Sequence, residues 1–174
     1  ANYLRYLYVP APASIFREVR KLPAGHLLTI TDPGDADLDG SAYWSVQQTA
    51  DAARTQRWTG SDAEATDALE SLLGDAVSQR LLSDVPVGAL LSGGVDSSLV
   101  VGLMAERSAG AVRTYAVSFP EAAFDESTHA AAVAQHFGTT HTTFPLSESD
   151  LLGVVPRLPD LFDEPHADPS CVPG

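Results

Sequence analysis

The chain has 174 residues, enough for about one domain of ordinary size. Its hydrophobic fraction of 44% is that of a globular protein rather than a disordered one. Ten basic residues against 23 acidic ones leave a net charge of −13, with Lys21 as the only lysine, which argues against nucleic acid and anionic membranes as partners.

Cys171 is the only cysteine, so no internal disulfide can form and the residue reads as a structural thiol. The first ten residues contain Arg5 and no long apolar core, and no stretch approaches the ~20 apolar residues of a membrane span. These features predict a soluble, cytoplasmic protein. His26, His129, His136, His141 and His166 follow no metal-ligand spacing, so no zinc site is expected.

In chain order, Tyr3–Tyr8 reads as the last turns of a helix stopped by Pro10 and Pro12. Ile15, Phe16, Val19 and Leu22 recur near helical spacing, and His26–Thr31 reads as a strand. Asp32-Pro33-Gly34-Asp35 is a turn, because Pro fixes φ and Gly allows φ > 0. Tyr43 and Trp44 read as packing anchors. Ser45–Gly60 is polar and aperiodic, the best candidate for a linker.

Ser61-Asp62-Ala63-Glu64 has the pattern of a capping box. Leu69, Leu72, Leu73, Ala76 and Val77 then follow the spacing of an amphipathic helix. Val85–Leu91 reads as a strand, Ser92–Gly94 as a tight loop, and Leu99, Val100, Leu103 and Met104 as a helix ending at Gly110. A second strand is expected over Val112–Phe119. Asp125 would cap a helix carrying Ala130, Val133, Ala134 and Phe137, stopped by Gly138. Thr139–Phe144 is β-branched and reads as a third strand. Ser147 caps a helix through Leu158, and the chain is irregular from Pro159. Alternating strands and helices imply an α/β fold, a parallel sheet with right-handed crossovers and helices on both faces. With only three strands, an exposed strand edge, apolar patches and self-association are expected.

In such sheets ligands bind beyond the carboxyl ends of the strands, which is where Ser92–Ser98 falls. Gly93 and Gly94 lack Cβ atoms, so the backbone can approach a polyphosphate and present successive N–H groups to it. Ser92, Ser97 and Ser98 add hydroxyl donors. Asp96 would repel a phosphate unless Mg²⁺ lay between them, since Mg²⁺ takes one or two carboxylates plus phosphate oxygens. Otherwise it is a plain acid in the first turn of a helix. The loop lacks the lysine of a P-loop and the third glycine of a dinucleotide fingerprint. Asp163, Glu164 and Asp168 form an acidic cluster that reads either as a solvated turn or as a loop lining the site.

The strand, glycine loop and helix resemble the PP-loop of ATP pyrophosphatases. Leu82-Ser83-Asp84-Val85-Pro86-Val87-Gly88, leading into Leu90-Leu91-Ser92-Gly93-Gly94-Val95-Asp96-Ser97-Ser98, resembles the synthetase domain of glutamine-hydrolysing asparagine synthetases. Tyr115–Phe119 with Phe124–Ser127, Phe137–His141, and Asp163–Ser170 agree with that family. Upstream, Tyr6–Pro12, Phe16–His26 and Tyr43-Trp44 resemble the tail of its β-rich glutaminase domain.

The resemblance implies a tail of a glutaminase-like domain over residues 1–46, a linker over 47–60 and the N-terminal part of an ATP-binding synthetase domain over 61–174. It implies activation of the aspartate β-carboxylate by ATP, release of pyrophosphate, and amidation by ammonia derived from glutamine. Ser92, Gly93, Gly94, Val95, Asp96, Ser97 and Ser98 would bind pyrophosphate, Asp96 would also bind Mg²⁺, and Leu91 and Val117 would contact adenosine largely through backbone. The implied partners are these small substrates, the remainder of both domains and a second copy of the chain. Residue 1 is alanine where the family has its nucleophilic cysteine, and the family's second acidic Mg²⁺ motif and its lysine near the phosphates are not within these residues. The chain therefore reads as an excised central piece, inactive alone. The alternatives are a lactam-forming or peptide-cyclising relative and a non-catalytic nucleotide-binding fragment.

Overall fold

The computed structural model describes residues 2–32, 34, 40–121, 125–165 and 168. Contacts divide the chain into two units, residues 60–153 and residues 1–59 with 154–172.

The chain begins with α1 (Asn2–Tyr6), whose end is marked by Leu7 at φ 63°. Ile15–Leu22 forms no helix, contrary to its apolar spacing. The Ser14 hydroxyl accepts from Phe16 N–H at 3.0 Å and lies 2.6 Å from the Val19 carbonyl, so local side-chain bonds replace the helical ladder. The strand expected over His26–Thr31 shortens to β1 (His26–Leu27), antiparallel to β2 (Ser41–Ala42). In the Asp32 turn the carboxylate accepts from Gly34 N–H at 2.9 Å, while Pro33 and Asp35 lie outside the described residues.

The stretch expected to be a linker contains a helix, α2 (Val46–Thr55), with no buried residue. Ser45 accepts from Gln48 N–H at 3.4 Å to start it, and Asp51 accepts from Gln47 and Arg54 on the following turns. The cap and the polar i,i+3 and i,i+4 pairs hold this helix without a buried face.

The unit of residues 60–153 follows the sequence more closely. Ser61 Oγ accepts from Glu64 N–H at 3.3 Å, and Glu64 Oε2 accepts from Ser61 N–H at 2.7 Å, the capping box that launches α3 (Asp62–Arg80). Three parallel strands follow in the order β3 (Gly88–Leu90), β4 (Arg113–Ser118) and β5 (Thr140–Pro145). Leu90 sits opposite Tyr115, and Val117 opposite Phe144. The crossovers are α4 (Val95–Arg107) and α5 (Ser127–Phe137). α4 stops at Arg107, short of Gly110, because Ser108 turns to extended backbone while donating to the Met104 carbonyl at 2.9 Å. α5 ends as expected at Gly138, φ 65°. Its start is one residue later than expected: Glu126 is the N-cap residue, while the Asp125 carboxylate accepts from Ser127 N–H at 3.1 Å.

Strand alternation sends Leu91 and Ala116 toward Val101 of α4 and Ala130 and Ala134 of α5 in one buried cluster, and Leu103, Met104 and Val112 are buried as well. Thr114, fully buried on the same face, bonds Thr139 Oγ1 at 2.7 Å and His141 Nδ1 at 2.9 Å. On the opposite face Leu90 is 67% exposed, Phe144 is 51% exposed, and the Phe144 and Tyr115 rings stack at 6.1 Å. α3 packs on α4 at the buried Gly74, where a Cβ would lie 2.0 Å from the Arg107 guanidinium. Leu69 and Leu72 of α3 stay exposed, and Leu72 borders an apolar groove of about 630 Å³ with Val77, Val87, Val100 and Met104.

Ser147 and Asp150 cap α6 (Glu148–Val154) reciprocally, the Ser147 N–H donating to the Asp150 carboxylate at 2.9 Å. The chain then remains helical past Pro159, through a 3₁₀ turn (Val155–Arg157) into α7 (Leu158–Leu161). Pro159 lies in the first turn of α7, where its missing N–H costs no ladder bond. In the other unit Lys21 pairs with Glu164 and donates to the Val9 carbonyl at 2.6 Å, while Glu164 Oε1 accepts from Ile15 N–H at 2.8 Å. Among the described residues no helix is long and apolar enough to cross a membrane.

Candidate functional site

All three strands end at one edge of the sheet, and the loop of interest leaves that edge after β3. Leu91 is buried in the core and still donates to the Tyr115 carbonyl at 2.7 Å, so the strand is pinned up to the first loop residue. The chain then reverses at Gly93, whose φ of 79° is a conformation that favours glycine. A Cβ there would lie 2.6 Å from His129 Cβ and 2.7 Å from Ala130 N, so the first turn of α5 presses directly on the loop. Gly94, extended at φ −71° and ψ 165°, is the N-cap residue of α4.

The loop holds itself closed with its own hydroxyls. Ser92 Oγ lies 3.0 Å from Ser97 Oγ and accepts from Gly94 N–H at 3.3 Å, and Ser97 Oγ donates to the Gly94 carbonyl at 3.2 Å. Ser98 N–H donates to the Gly94 carbonyl, which leaves the N–H groups of Val95, Asp96 and Ser97 in the unladdered first turn of α4. Ser98 Oγ is buried and has no hydrogen-bond partner. Val95 and Asp96 are exposed and Ser97 is half-buried. Unladdered N–H groups at the start of a helix are a chemical environment that suits an anion.

The sequence-predicted residues are thus adjacent, with one division. Leu91 faces the core, whereas Val117 lies on the Tyr115 face of β4, so any ligand touching both would meet backbone at the strand ends rather than paired side chains. The loop after β4 is fastened by Asp125, and the Ser127 hydrogen bonds, with a smaller contribution from Phe119 N–H, hold its carboxyl below the usual carboxylate range. Periodicity did not single out His129 for this neighbourhood, because it reaches Gly93 only through tertiary packing. Of the acidic cluster, Glu164 is engaged by Lys21, whose hydrogen bond holds the Glu164 carboxyl below its ordinary range. Phe124, His166, Ala167, Pro169, Ser170 and Cys171 lie outside the described residues.

Among the described residues no group of three or more His, Cys, Asp and Glu could hold a metal ion by itself. Asp96 alone suits Mg²⁺ only where phosphate oxygens complete the coordination.

The profile of the asparagine synthase family matches residues 68–174, the stretch that contains the sheet, the loop and α4. The chain belongs to the asparagine synthase family. It is 32% identical over 172 residues to a putative glutamine-hydrolysing asparagine synthetase 2 of Methanocaldococcus jannaschii, a match covering 98% of this chain and 32% of that protein. It is 29% identical over 174 residues to glutamine-hydrolysing asparagine synthetase 1 of Bacillus subtilis, covering 99% of this chain and 26% of the relative. An amidase, chry2, of Gibberella zeae is 36% identical over 91 residues, 52% of this chain and 13% of the relative. The chain spans between a quarter and a third of the length of the two synthetase relatives. The asparagine synthase match also accords with the α/β fold and its three-stranded parallel sheet flanked by helices.

Proposed function

We propose that this chain is the nucleotide-binding part of an ATP-dependent amide-forming ligase, and that Ser92–Ser98 holds the polyphosphate of ATP. The observation that carries this reading is the Gly93 reversal at the carboxyl end of a parallel strand, aimed into the start of α4 beside a buried, unpartnered Ser98 hydroxyl. In this reading the amides of Val95–Ser97 bind the β and γ phosphates, Ser98 Oγ gains its missing partner, and the backbone at Leu91 and Val117 borders adenosine. Asp96 would hold Mg²⁺, which when bound neutralises phosphate charge that the acidic chain cannot.

Membership of the asparagine synthase family supports the following chemistry at that loop. An oxygen of the aspartate β-carboxylate attacks the α phosphorus, the α–β P–O bond breaks, and pyrophosphate leaves with the bonding electrons. Ammonia, supplied from glutamine by a glutaminase-like domain whose tail would be residues 1–46, then attacks the acyl carbon and AMP departs. N–H groups fixed before the reaction stabilise the charge growing on pyrophosphate without reorganising. Residues 47–60 would link the two domains, and the whole ligase would work in the cytoplasm.

A second reading keeps the nucleotide loop and changes the acceptor, as in a lactam-forming or peptide-cyclising ligase; that one relative is named an amidase rather than an asparagine synthetase is in line with varied chemistry among proteins sharing this stretch. ATP–pyrophosphate exchange separates the readings. Exchange that requires aspartate and vanishes in Asp96→Ala supports asparagine formation. MgATP binding without aspartate-dependent exchange supports another acceptor or a binding module. Failure to bind MgATP overturns the site.

A further inference from the structure

The three segments at the carboxyl edge of the sheet, residues 91–98, 118–130 and 145–150, contain no lysine or arginine. They contain six carboxylates, namely Asp96, Glu121, Asp125, Glu126, Glu148 and Asp150. Two of these, Asp125 and Asp150, are already engaged by Ser127 and Ser147. Lys21 belongs to the other unit and is spent on Glu164 and the Val9 carbonyl. A polyanion in the loop therefore meets one side chain in these segments that can carry positive charge, that of His129. His129 is exposed in the first turn of α5, with its Cβ against Gly93. The contact exists because Gly93 has no Cβ of its own.

We propose that His129 is a phosphate-contacting residue of the nucleotide site, reaching the polyphosphate from the first turn of α5 while the amides of α4 reach it from the other side. The proposal rests on the reading of Ser92–Ser98 as the ATP loop. It assigns the loop two converging helix starts, one contributing amides and the other an imidazole N–H that can donate to a phosphate oxygen. A charge-assisted contact of this kind distinguishes ATP from adenosine, because adenosine has no group to receive it.

Calorimetric titration of the chain with MgATP and with adenosine tests this, using His129→Ala and His129→Lys. Alanine keeps the Cβ that touches Gly93, so the packing survives the substitution. His129→Ala is expected to weaken MgATP by roughly three- to tenfold and leave adenosine unchanged, and His129→Lys is expected to restore MgATP binding. Three results overturn the assignment of His129 while leaving the loop standing: undiminished MgATP binding in His129→Ala, equal weakening of both ligands, or no recovery with lysine. If the unsubstituted chain takes no MgATP, the loop reading falls and this assignment falls with it.

Discussion

Gly93 and Gly94 stand side by side, yet their replacements have different consequences. A side chain at Gly93 must adopt φ 79° and meets His129 Cβ and the Ala130 backbone below 3 Å. A side chain at Gly94 meets only Ser92 Oγ at 3.4 Å. Gly93→Ala is therefore expected to cost about 1–3 kcal/mol in a urea denaturation from backbone strain alone and to abolish MgATP binding. Gly94→Ala is expected to fold normally. Asp96 is exposed in the first turn of α4, so Asp96→Ala is expected to cost at most about 1 kcal/mol of stability in urea denaturation while removing the Mg²⁺ dependence of nucleotide binding. At this scale the glycine loop was legible because its chemistry is local, in consecutive residues. His129 was not, because its proximity to Gly93 depends on how α5 packs on β4 and β5.

Elements were legible where a cap or an apolar period announced them. Ser61 with Glu64, and Gly138 after α5, are local hydrogen-bond and dihedral requirements written in the sequence. Ser61→Ala is expected to cost about 1 kcal/mol in thermal denaturation through the start of α3. α2 is hard to read in the sequence because its one-sided apolar positions, Val46, Ala50 and Ala53, are few and small among polar residues and none is buried. Ile15–Leu22 misled for the converse reason: its apolar spacing was present, but Ser14 bonds the local backbone instead.

The caps also set a pH dependence. Glu64 is held low by Ser61 N–H and then the Ser61 hydroxyl, Asp150 by Ser147, Asp125 by Ser127 and Glu164 by Lys21. A carboxyl whose folded pKa lies below its unfolded one contributes stability above the unfolded value and loses it as pH falls through the folded one. Melting temperature is expected to be flat on the alkaline side of the ordinary carboxylate range and to drop on acidification through and below it.

For the unit of residues 60–153, the core is small and one-sided. Val101, Ala130 and Ala134 join Leu91 and Ala116 to α4 and α5, with Leu103, Met104 and Val112 also buried, while Leu90, Phe144 and the Tyr115 ring mark an apolar second face. Leu69 and Leu72 on α3 add a further exposed stripe. Surface of this kind drives association when it is contiguous. Light scattering of the chain is expected to show mass rising with concentration, and Phe144→Ser is expected to reduce that rise. A monodisperse monomer at all concentrations would contradict it. The parallel sheet was legible from strand–helix alternation, whereas the degree of cover on each face was not, since alternation reports which residues share a face but not what packs there.

In the proposed function everything depends on the Ser92–Ser98 loop gripping a nucleotide polyphosphate. Titrating MgATP against the amide resonances of the chain tests it most directly. Shifts concentrated at Gly93–Ser98, and insensitive to Mg²⁺ in Asp96→Ala, are the expected result. Saturating MgATP with those resonances unmoved would contradict it.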